Sequence, residues 1–215
     1  MRCLIACQRD DCGHFGGLMN YPITFRFKLI ALAPQIYVTD ATGKTICYVK
    51  QKLLRLREKV EVFTDDTMQQ LVATIEADRI IDWSARYTFK SPTGEVLGAI
   101  GRRGMKSLWK AHYDVFAPGA QSPTFAIQEE NGWIKFLDGL VSGIPVVGMF
   151  AGYMLHPSYI ASRVAGNAPV LRLTKQPAFF EGLFKLEPTG EASEGEQMAL
   201  LLSFLMMNLL ERARG

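Results

Sequence analysis

The residues best equipped for chemistry are few and scattered. Histidine occurs at His14, His112 and His156 only, and no pair has the i, i+4 spacing that sets two imidazoles on one helical face. His112 alternates with Trp109 and Tyr113 in a strand-like run, and His156 precedes Pro157 in a turn. The N-terminal run CLIACQRDDCGH offers Cys3, Cys7, Cys12 and His14, but it matches no common zinc arrangement, so no metal site is expected. Carboxylates pair at Asp65-Asp66 and Glu129-Glu130, both beside expected turns where solvation is the ordinary role. There is no G-x-S-x-G, no P-loop and no calcium loop with D-x-D-x-D-G spacing. Gly98, Gly101 and Gly104 recur every third residue. That is not the dinucleotide fingerprint, and glycines of this kind let a strand bend or approach a neighbour. No nucleophile, base and orienter can be named together, so no catalytic residue, no cofactor and no enzymatic activity are expected.

Cations are more organised. Lys50 and Lys52, Arg102 and Arg103, and Arg172 and Lys175 each end a similar stretch, and Lys106 and Lys110 follow the second group. If the three stretches fold alike, these eight residues gather on one rim. Each would attract an anionic lipid head group by on the order of 1 kcal/mol near a charged leaflet. The plainer reading is that they solvate the outer face of antiparallel strands and blunt sheet edges. A net charge of +3 supplies no global field for nucleic acid, so none is expected as a partner.

The elements that must position these cations are mostly strands. From Tyr21 onward the dominant period is two: ITFRFKL alternates Ile23, Phe25, Phe27 and Leu29 with polar residues. LLRLREKVEVF repeats the device with Leu54, Leu56, Val60 and Val62. LVATIEAD, SARYTFKS, EVLGAIGRR, SLWKAHYDVF, TFAIQEE and GLFKLEP read alike, and short strands divided by frequent turns predict a sandwich or barrel. Segments 37–52, 87–104 and 159–177 predict hairpins, turning at Thr42-Gly43, Thr93-Gly94 and Gly166-Asn167. With 48% hydrophobic and 21% charged residues, the 215-residue chain has an ordinary globular balance and a sizeable core. No Ser/Gly-rich linker divides it, so residues 21–215 are expected to form a single domain.

Residues 1–20 are expected to be a disordered leader, with Met19 as a cleaner start. LIAC resembles a lipoprotein box, but only six residues precede Cys7, too few for a signal's apolar region. Cysteine is otherwise sparse, which fits a reducing cytoplasm. Segment 133–155 is long enough to span a bilayer. Yet Lys135 and Asp138 lie inside it and Pro145 breaks it, so it predicts two short pieces around a proline turn that close one mouth of the fold or touch a membrane interface.

The remaining segment is the tail. Ser193 and Glu196 make a capping box, Glu194 and Glu196 favour the N-terminal dipole, and Arg212 and Arg214 favour the C-terminal one. A helix from about Ser193 to Ala213 is therefore predicted. Between Met198 and Leu210 only Ser203 and Asn208 are polar, so the helix has no broad polar stripe. Its apolar stretch is thirteen residues, short of the roughly 20 that a bilayer needs. Burial inside a closed barrel of about a dozen strands satisfies both constraints.

That combination resembles the tubby-like fold superfamily, in particular its LURP-one-related and phospholipid scramblase-like branch. The resemblance lies in YVKQKLLRLREKVEVFTD (48–65), YTFKSPTGEVLGAIGRRGMKSLWKAHYDVF (87–116) and the closing ALLLSFLMMNLLERARG. It implies a mainly β protein: a closed antiparallel twelve-stranded barrel enclosing a hydrophobic C-terminal helix. It further implies a non-enzymatic binding or membrane-tethering domain, with anionic phospholipid or a membrane surface as partner. Two alternatives stand beside it: a protein-interaction module docking through 133–155, and an enzyme whose site is assembled from distant residues. A cytoplasmic or peripheral membrane location is expected. The missing calcium loop departs from the scramblases and puts calcium regulation in doubt.

Overall fold

A computed structural model describes residues 19–28, 35–50, 59–78, 86–103, 112–130, 157–178 and 181–212. Twelve strands and one helix follow in chain order: β1 (Ile23–Lys28), β2 (Gln35–Thr39), β3 (Thr45–Lys50), β4 (Lys59–Phe63), β5 (Leu71–Ala77), β6 (Arg86–Lys90), β7 (Val96–Arg102), β8 (His112–Phe116), β9 (Phe125–Glu130), β10 (Ser158–Arg163), β11 (Pro169–Gln176), β12 (Glu181–Pro188) and α1 (Glu194–Arg212). Every strand pairs antiparallel with the next, and β12 returns to β1 with Ile23 opposite Leu186 and Lys28 opposite Glu181. The sheet is thus a closed barrel, which leaves no edge to template foreign strands. This is the architecture expected from the sequence.

Alternation builds the lining. Ile23, Phe25 and Phe27 of β1 are buried, as are Ile36 and Val38 of β2, Val60 and Val62 of β4, Ile75 of β5, Phe89 of β6, Val115 of β8, Ile127 of β9 and Leu173 of β11. Predicted turns form where left-handed backbone is available. Gly43, Gly94 and Gly166 have φ of 83°, 88° and 79°, and Asn167 has 51°. Asp40 supports its turn by accepting from Thr42 N at 2.9 Å and Lys44 N at 3.0 Å.

α1 fills the barrel. Every residue from Met198 to Leu209 is buried, and Leu202, Leu205 and Leu209 are 0%, 1% and 3% exposed. Each such side chain removed from water contributes about 1.5–3 kcal/mol. The two polar residues satisfy themselves along the helix: Ser203 Oγ donates to Ala199 O at 2.6 Å, and Asn208 Nδ2 to Phe204 O at 2.8 Å. The capping box forms as predicted. Ser193 N donates to Glu196 Oε2 at 2.9 Å and Glu196 N to Ser193 Oγ at 3.4 Å. The helix backs directly onto β7. A Cβ built on Gly98 would stand 2.8 Å from both Ala199 Cβ and the Phe116 carbonyl oxygen, at a φ of 137°. Among the described residues, no helix is long and apolar enough to cross a membrane.

Because consecutive strands are antiparallel neighbours, their connections alternate between two ends. The turns at 40–44, 64–70, 91–95, 117–124 and 164–168 share one end, the turn end, with the 189–193 approach to α1. Odd-numbered strands finish at the opposite, far end, and there α1 has its C-terminus.

Candidate functional site

Strand parity locates the predicted cations. Lys50 is the last residue of β3 and Arg102 the last of β7, with Arg103 next along the chain. Lys175 is one residue from the end of β11. All four therefore occupy the far end, and Lys50, Arg103 and Lys175 are exposed. Arg172 sits deeper in β11, where its guanidinium donates to Glu130 Oε1 at 2.9 Å, so part of its charge is already answered. Lys52, Lys106 and Lys110 lie outside the described residues, as do Cys3, Cys7, Cys12, His14, His156 and the whole of segment 133–155.

The same end holds cations that local reading passed over. Lys28 closes β1, Lys59 opens β4, Arg86 opens β6 and Arg212 is the last residue of α1. Nothing in their immediate sequence marks them as a group, since three belong to different hairpins and Arg212 to the helix. The usable signal was strand counting: the last residue of an odd strand and the first of an even one must share an end.

Aromatic rings and carboxylates hold several of these cations in place. Arg86 lies with its guanidinium carbon 3.7 Å from the centroid of the Phe116 ring, and Arg212 lies 5.0 Å from that of Phe27. Lys28 Nζ stands 4.6 Å over the Tyr37 ring, which packs on Tyr48 at 4.8 Å. Arg103 Nε reaches Asp114 Oδ2 at 3.7 Å, although Arg103 remains 65% exposed, so this pair neutralises little in water. Asp78, Glu129, Glu130, Glu181 and Glu211 also lie toward this end, which among the described residues is mixed in sign with cations in excess at the strand termini.

Beneath the rim the barrel interior ends in a polar layer. Tyr113, buried on the inner face of β8, donates its hydroxyl to Glu211 Oε1 on α1. Burial first, and then this carboxylate, raise the Tyr113 phenol far above its ordinary range. The Tyr159 phenol is pushed up to about 12, chiefly by burial and then by Glu129 and Glu211. Both phenols stay protonated in the physiological range, and Tyr113 acts here as a hydrogen-bond donor that ties β8 to the last turn of α1.

The remaining candidates for chemistry take structural parts. Asp65 accepts from Thr67 N at 2.9 Å within its turn, and Asp66 accepts from the Tyr37 hydroxyl at 3.3 Å. Glu130 is shared by Arg172 and the Ser158 hydroxyl, the latter at 2.9 Å. His112 is half-buried on β8. Burial pulls its pKa down and Arg103 adds to this, while Asp114 acts in the opposite direction. Its Nε2 and Asp114 Oδ1 are buried without a hydrogen-bond partner. No group of three or more His, Cys, Asp or Glu is placed to hold a metal ion among the described residues. Gly98 is explained by the approach of α1. Gly101 faces open space, and Gly104 lies outside the described residues.

Residues 45–140 match the family model described as LURP-one-related, which covers β3 through β9 and meets the family resemblance read from the sequence. A solved X-ray structure of an Arabidopsis thaliana protein is similar at 15% identity, over 87% of this chain and 91% of that one, with a TM-score of 0.46. No curated protein matches the sequence.

Proposed function

We propose that this LURP-one-related barrel is a non-catalytic binding or tethering domain whose far end takes anionic phospholipid head groups. One observation carries the reading. Lys50, Arg102, Arg103 and Lys175, distant in sequence, belong to strand termini of a single end, with Lys28, Lys59 and Arg212 beside them. Convergent cations at one surface act on a charged leaflet together, each contributing about 1 kcal/mol.

Flotation with phosphatidylcholine vesicles, with and without phosphatidylserine or a phosphoinositide, tests it. The full chain floats with the anionic vesicles only. Lys50→Gln/Arg102→Gln/Arg103→Gln lowers the vesicle partition coefficient on the order of a hundredfold, three charges at about 1 kcal/mol each. Failure of the unaltered chain to float, or flotation indifferent to the triple substitution, overturns the reading.

A further inference from the structure

Among the described residues, the two ends of the barrel differ in charge as well as in connection. Among the described residues the turn end carries Asp40, Asp65, Asp66, Glu95, Glu191, Glu194 and Glu196, against Lys44, Lys90 and Arg163, of which Arg163 is paired with Glu196 and Lys90 with Glu76. Two of these carboxylates are fixed parts of their turns. Asp40 Oδ1 accepts three hydrogen bonds, from Thr42 N, Thr42 Oγ1 and Lys44 N, and Asp65 Oδ1 accepts from Thr67 N and its hydroxyl. Glu194 and Glu196 sit in the first turn of α1, where the helix dipole favours them. The cations named above terminate strands at the other end. Acidic side chains thus prevail at one end of α1 and basic ones at the other, and at 1.5 Å per residue the helix is roughly 28 Å long over its 19 residues.

That separation is large beside the distance over which exposed charges act, about 8 Å at physiological ionic strength. With the far end on an anionic leaflet, the turn-end carboxylates stand more than three screening lengths away and are not repelled. Laid on its side, the barrel would bring one set of acidic turns into the contact plane and lose attraction from part of the basic rim. Resting on the lipid reading above, we infer that the barrel docks end-on, with its far end against the leaflet and α1 along the membrane normal.

The test places one fluorophore at each end of the full chain. Thr93→Cys lies in the exposed β6–β7 turn, and Ala178→Cys is exposed just past β11 at the far end. Cys3, Cys7 and Cys12 are replaced by Ser, and Cys47 stays because it is buried. Phosphatidylcholine–phosphatidylserine vesicles containing a head-group spin-labelled lipid quench the probes. Flotation of the labelled proteins is measured in parallel, and a thermal melt of each confirms folding. End-on docking gives severalfold stronger quenching at position 178 than at position 93. Equal quenching, or stronger quenching at 93, in protein that floats overturns the orientation and leaves lipid binding standing. No flotation overturns both.

Discussion

Gly98 shows how one residue type can carry a fold constraint that a motif search would read as chemistry. The helix presses Ala199 against β7 at the one point where a side chain would meet both it and the Phe116 carbonyl. Gly98→Ala therefore costs about 1–3 kcal/mol, as overpacking of a filled core does, and a urea melt reads it as a lower midpoint with unchanged slope. Glu196 makes an opposite kind of contribution. It accepts two bonds from Arg163, at 2.8 and 3.0 Å, and one from Ser193 N, and these partners, Arg163 foremost, hold its carboxyl below the ordinary range. A depressed folded-state pKa means stability that is present above the unfolded value of about 4.3 and lost as pH falls through the folded value. Thermal melts of the unaltered protein decline below that pH. Glu196→Gln forfeits about 1 kcal/mol at neutral pH and shows a shallower acid decline.

At the scale of elements, the capping box joins α1 to the chain that delivers it. Ser193→Ala removes one of the reciprocal bonds and costs about 1 kcal/mol in a chemical melt. Combined with Glu196→Gln it costs less than the sum, because both act on one network. These elements were largely legible beforehand. Ile23, Phe25 and Phe27 announced β1 by alternation, Gly43 and Gly94 announced their turns, and Ser193 with Glu196 announced the start of the helix. Contacts across strands were not legible. Tyr48 and Phe63 pair opposite one another, and the Tyr48 ring packs tilted against Tyr37, although their own runs do not mark them as a cluster. The rim was half legible for the same reason. Lys50 and Arg102 end visible hairpins, whereas Lys28 and Arg86 join them only once twelve strands are counted around a closed ring.

The whole molecule is a lining and a filling that need one another. Inward side chains of twelve strands meet no second sheet, so α1 supplies their packing partner. Deleting residues 194–212 is expected to abolish cooperative unfolding. The truncated chain would bind a hydrophobic dye and lose its near-ultraviolet dichroism, the signature of lost specific packing. Retention of a sharp thermal transition would show that the barrel closes unaided.

The filling follows β12 in the chain, and β12 is also the strand that closes the ring against β1. On the ribosome, β1 must therefore wait for a partner more than 150 residues downstream, Ile23 for Leu186, and the wall must wait longer still for its plug. Throughout synthesis the nascent chain shows Phe25, Phe89 and Phe125 to water without the helix that covers them in the finished barrel. Such distant closure makes folding slow and leaves its unfinished forms prone to aggregate until the last strand and the helix arrive.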